Sequence, residues 1–86
     1  MTVILIHEDN HGLLGVAKDY KSAIDYLIQN QWLNIDTEIY NTEKDTFNSL
    51  RELKITIDNI RALGIDKFNE LFDGVLYLDI DNVWEI

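Results

Sequence analysis

Both histidines of the chain lie in one five-residue stretch, His7-Glu8-Asp9-Asn10-His11, which fits the H-E-x-x-H spacing of zinc hydrolases. In that chemistry a helix sets two imidazoles four residues apart on one face to hold the metal, and the glutamate between them acts as general base. One reading is therefore a small metal-dependent hydrolase using His7 and His11, with Glu8 as base. The flanking residues argue against the helix this needs. Thr2-Val3-Ile4-Leu5-Ile6 is a short apolar run rich in β-branched types, which suits a buried strand. Asp9-Asn10-His11-Gly12 collects residues that favour turns, and Leu13-Leu14-Gly15-Val16-Ala17 is a second apolar run. Strand, polar turn and strand predict a β-hairpin with both histidines at its tip. A helix would also have to absorb Gly12 and Gly15, at about 1 kcal/mol each relative to alanine. No third histidine or cysteine completes a ligand set, so no metal is expected.

Other chemistries find less footing. Without cysteine there is no thiolate nucleophile, and the two serines, Ser22 and Ser49, sit in helical or capping contexts rather than in a nucleophile elbow. The glycines at 12, 15, 64 and 74 form no phosphate-cradling loop, and Asp79-x-Asp81 and Asp9-Asn10 lack the rest of a calcium loop. The expectation is a protein that is not an enzyme and carries no cofactor.

The bulk composition narrows the partners. The 86 residues hold 16 Asp or Glu against 7 Lys or Arg, a formal net charge of −9. Such a field repels phosphate backbones and anionic lipid and favours encounter with basic surfaces, so direct nucleic-acid and membrane binding are disfavoured. The length suits one compact domain over residues 1–86, and 47% hydrophobic residues make it too apolar for a disordered acidic tail. The absence of cysteine is compatible with a reducing compartment, and no apolar run is long enough for a signal peptide or membrane span. A soluble, cytoplasmic protein is expected.

The elements that must position any site follow from periodicity. Asp19 is a candidate N-cap for a helix carrying Tyr20, Ala23, Ile24, Leu27 and Ile28 at helical spacing, with Trp32-Leu33 anchoring its exit. Residues 36–41 alternate as a half-exposed strand. Ser49-Leu50-Arg51-Glu52 has the letters of a capping box, which predicts a second helix through Leu53, Ile57 and Ile60 to Gly64. A strand through Leu53, Ile55 and Ile57 is the competing reading of the same residues. Asp66 is a candidate cap for a short helix with Phe68, Leu71 and Phe72, closed by Asp73-Gly74. Residues 75–81 predict a last strand with Leu76, Leu78 and Ile80 on one face and Tyr77, Asp79 and Asp81 on the other. Trp84 near the end predicts a docked tail. The order β-β-α-β-α-α-β points to an α+β fold, a mainly antiparallel sheet of about four strands with helices packed on one face. Strand one is apolar on both sides. It is therefore central, or else a second chain closes the sheet's other face and the protein is a homodimer.

If the third and fourth strands pair, Asp36, Glu38 and Tyr40 join Tyr77, Asp79 and Asp81 on one outward surface. That surface would suit a basic groove on another protein, and a specific version is a phosphate-imitating inhibitor of a basic nucleic-acid-handling protein. Alternation alone also explains the same residues as a solubilising outer face.

The segments Ile6-His7-Glu8-Asp9-Asn10-His11-Gly12-Leu13-Leu14-Gly15-Val16-Ala17, Gln31-Trp32-Leu33, Asp36-Thr37-Glu38-Ile39-Tyr40 and Asp66-Lys67-Phe68-Asn69-Glu70-Leu71-Phe72-Asp73-Gly74 resemble short acidic proteins encoded by phages and prophages of Gram-positive bacteria. The resemblance carries over no site residue and no assigned activity. It implies a context in which small acidic proteins act by binding host or viral proteins.

Overall fold

The computed structural model describes residues 2–82. Its elements in order are β1 (Thr2–Glu8), β2 (Gly12–Ala17), α1 (Tyr20–Gln29), β3 (Glu38–Asn41), β4 (Thr46–Ser49), α2 (Ile57–Arg61), α3 (Ile65–Leu71) and β5 (Leu76–Asn82). The α+β class and the antiparallel pairing are as expected. The single four-stranded sheet is not: β2-β1-β5 form one sheet, while β3 and β4 pair in a separate two-stranded one. The strand missed in the sequence is β4, whose Thr46-Phe47-Asn48-Ser49 offers one apolar side chain and no alternation.

β1 and β2 are the expected hairpin. The His11 N–H donates to the Glu8 carbonyl at 3.2 Å, and Gly12 follows at φ +75°. The turn over residues 9–11 is thus followed at once by a left-handed residue at the start of β2, a position glycine fills without steric cost. One residue further a bulge shifts the register between Ile6 and His7, so that Ile6 faces Gly15 but His7 faces Leu13. β1 is the central strand, paired along its whole length with β5 from Thr2 opposite Asn82 to Glu8 opposite Leu76.

That register puts Ile4, Ile6, Leu76 and Leu78 on one face, all buried. They share one buried cluster with Ala23, Ile24 and Leu27 of α1 and with Phe68 and Phe72. The two phenylalanine rings stack with centroids 4.4 Å apart. Full burial of side chains this size contributes about 1.5–3 kcal/mol each, so this layer holds the sheet to the helices. Ile80 continues the same face but stays exposed, beyond the covered part of the strand.

α1 starts as predicted, with the Asp19 carboxylate accepting from the Ser22 N–H at 2.8 Å. It ends with Trp32 N–H on the Leu27 carbonyl and Gln31 N–H on that of Ile28, with Gln31 left-handed at φ 63°. The predicted second helix needs correction. Ser49 and Glu52 do exchange the capping-box hydrogen bonds, both at 3.1 Å, but only a single turn follows. Lys54 turns left-handed at φ 60°, Ile55 N–H closes on the Leu50 carbonyl, and Thr56 opens the five-residue α2 with its own capping box to Asn59. Two caps in succession divide what the apolar spacing joins. The third helix is capped by Gly64 at φ +83° with no side-chain bond, rather than by Asp66. The docking predicted for Trp84 falls outside the described residues.

Candidate functional site

The hairpin tip resolves the geometry of the histidine pair. Residues 9–11 form a turn, not a helix. Successive residues of a strand point to opposite faces, so His7 and Glu8 diverge. His7 lies beside Tyr77, with ring centroids 6.2 Å apart. His11 instead bonds Glu8 through Nδ1 at 2.6 Å and sets its ring edge-on to Trp32 at 5.0 Å. The hydrogen bond from His11 is the chief reason that the Glu8 carboxyl is held below its ordinary value, assisted by the N–H groups of Asn10 and His11. Glu8 is thus engaged in fixing the turn, and the two imidazoles do not converge on one point. Among the described residues no group of three or more His, Cys, Asp or Glu is arranged to hold a metal ion.

The six residues expected to share one acidic surface divide into two groups. Tyr77, Asp79 and Asp81 do lie together on the face of β5 that looks away from the helices. Glu38 and Tyr40 lie on the exposed face of β3, where Tyr40 packs edge-on against Phe47 at 5.6 Å and bonds Asp45. That bond to a carboxylate raises the Tyr40 hydroxyl above its ordinary value. Asp36 precedes β3 and pairs with Arg51 at 3.1 Å. Because β3 pairs with β4 and β5 with β1, no sheet joins the two groups. The continuous four-carboxylate row is therefore absent, and half of its β3 portion is already met by an arginine.

What sequence reasoning missed is the apolar part of the β5 surface. Strand register places Leu5, Val16, Leu13 and His7 on the same face as Tyr77 and Asp79. The bulge in β2 is what puts both Leu13 and Val16 there, since without it their odd separation would send them to opposite sides. Leu13, Val16 and Tyr77 are 57%, 55% and 52% exposed, Leu5 and His7 are half-buried, and Val3 is buried. The available signal was the charge-free second run, apolar at every position that is not glycine.

A shallow groove of about 280 Å³ adjoins this face at the hairpin end, lined by His7, Glu8, Asp9, Asp73 and Tyr77 among others. Its walls are acidic, and Glu8 within it is already bonded to His11. The surface as a whole is a strip of aliphatic and tyrosine side chains with carboxylates along its β5 side. Such a strip can bury area against another protein.

Comparison of the chain with protein-family models, with curated proteins and with solved structures returned no match.

Proposed function

We propose that this protein is a small, acidic, non-catalytic interaction protein that binds another protein through the open face of its three-stranded sheet. The observation that carries this reading is the exposed apolar strip of Leu13, Val16 and Tyr77 with Leu5 beneath it, bordered by Asp79 and Asp81. Contiguous exposed apolar side chains cost solubility and are retained where a partner covers them. Tyrosine supplies contact area with little entropy to lose, and the acidic border selects a partner with lysine or arginine beside its own apolar patch. The likeness to short phage and prophage proteins makes host and viral proteins the first set to search.

The test is affinity capture from a host lysate with Asp79→Lys/Asp81→Lys and Tyr77→Ala variants alongside the parent. The captured partner should fall at least about tenfold with either variant, and rising salt should release it. Retention that ignores both variants and salt would refute the open face as the contact.

A further inference from the structure

The two outer edges of the three-stranded sheet are treated differently. On β5, the Asn69 carboxamide donates to the Leu78 carbonyl and accepts from the Leu78 N–H, both at 2.8 Å, and the Leu76 N–H is taken by the Phe72 carbonyl at 3.1 Å. One side chain thus stands in for a missing neighbour strand. Since the Leu78 groups turn outward, odd-numbered residues of β5 must form its ladder with β1, and the Asp9 N–H on the Val75 carbonyl at 3.0 Å continues that pattern. β1 then bonds β5 through Val3, Leu5 and His7 and bonds β2 through Ile4 and Ile6. Their partners Ala17 and Gly15 complete the second ladder, and Val16 between them directs its N–H and C=O away from the sheet.

Tyr26 covers the neighbouring Leu14 carbonyl with its hydroxyl at 2.7 Å, but no side chain among the described residues does for Val16 what Asn69 does for Leu78. Apart from its bulge, β2 carries none of the side chains that usually guard an edge: Gly12–Ala17 contains no lysine, no proline and no charge, in a chain with 23 charged residues. The bulge at Leu13-Leu14 confines straight pairing to the part of the strand around Val16.

We propose that this edge is a self-pairing site, at which β2 of a second copy adds antiparallel across a twofold axis near Val16 and joins two three-stranded sheets into one of six strands. Charge decides between the two ways in which a second copy could meet this sheet. Two chains of net charge −9 meeting face to face would oppose their Asp79 and Asp81 rows. Meeting through the uncharged strand leaves the β5 strands at the outer ends, five strand spacings or about 24 Å apart, well beyond the screening length of about 8 Å at physiological salt. The residual repulsion between the two acidic chains is then long-range and screenable. Salt must tighten the dimer, the opposite of its effect on a basic partner held at the open face, so the two proposals fail separately.

Sedimentation velocity of the full chain from about 5 to 500 μM, at low and high sodium chloride, reads this directly. The mass should double with concentration, and the dissociation constant should fall as salt is raised. Val16→Pro removes the outward N–H while leaving the bonds of Gly15 and Ala17 to β1, and should weaken the dimer at least about tenfold. Val16→Lys, at an exposed position, keeps the backbone intact and opposes two lysines across the axis; it decides the matter should the proline variant fail to fold. A parent chain monomeric throughout the range, a dimer loosened by salt, or one that the folded variant leaves untouched would overturn the proposal.

Discussion

Gly15 is held to glycine by a neighbour rather than by its own backbone. A Cβ built there would lie 2.8 Å from Cζ of Tyr26, whose hydroxyl is fixed on the Leu14 carbonyl. The ring cannot retreat without giving up that hydrogen bond, and a bond of this kind contributes about 0.5–1.5 kcal/mol. Gly15→Ala should therefore destabilise the protein by about 1–3 kcal/mol in urea denaturation, in the range of overpacked positions. In a Tyr26→Leu background the penalty should disappear, and the reduced chain entropy of alanine should then show as a small gain. A penalty of equal size in both backgrounds would place its origin in the strand itself. The same pair of residues links chemistry to surface: the tyrosine underneath the hairpin props the bulge that puts Leu13 and Val16 on the open face.

Among the elements, α1 ends on a residue poorly suited to its conformation. The Schellman pattern of Trp32 on Leu27 and Gln31 on Ile28 requires a left-handed residue, and Gln31 occupies it at φ 63°. A non-glycine residue there costs about 1–2 kcal/mol, partly offset by glycine's greater entropy when unfolded. Gln31→Gly should raise stability by about 0.5–1 kcal/mol, measured by thermal or urea unfolding; a loss would mean that the glutamine side chain makes a contact worth more than the strain. Elements whose stop signals agree with their periodicity were legible in the sequence: the hairpin, α1 with its Asp19 cap, and β5 with its two-faced alternation. Residues 49–63 were not, because Ser49 and Thr56 each start a turn, and the break between the two is made by Lys54 going left-handed. Even so, Leu50 and Ile60, picked out by spacing, are fully buried. The Tyr77, Asp79 and Asp81 row was legible by alternation alone. Its supposed junction with Glu38 and Tyr40 was not, since sheet membership depends on pairings between strands far apart in the chain, and a local pattern carries no record of them.

For the molecule as a whole, acidity acts in two opposed ways. Glu8, Asp19 and Glu52 are each held below their ordinary values, chiefly by the His11 side chain, by the Ser22 N–H and by the Ser49 N–H respectively. A carboxyl that is more acidic when folded binds fewer protons in the folded state, so its stabilisation is present above the unfolded value and is lost as pH falls through the folded one. Over the same interval the net charge of −9 is neutralised and self-repulsion relaxes. A comparison with Asp19→Asn, which keeps the cap acceptor but cannot ionise, separates the two effects. The parent's melting temperature should exceed that of the variant by a constant margin from about pH 7 to 5, and the margin should close below about pH 4. A margin that persists at low pH would show that the cap does not depend on charge.

The central strand has its own consequence in time. β1 emerges from the ribosome before β5, and β2 can fold back on it at once, but the partner on its other side, β5, begins only at Leu76. At ordinary translation speeds the nascent hairpin waits for seconds, with the flank of β1 open and Ile4 and Ile6 without the phenylalanines that will cover them. Completion of the sheet is therefore a late, long-range closure, and the growing polypeptide is most open to chaperones, and to sticking to its own siblings, during that interval.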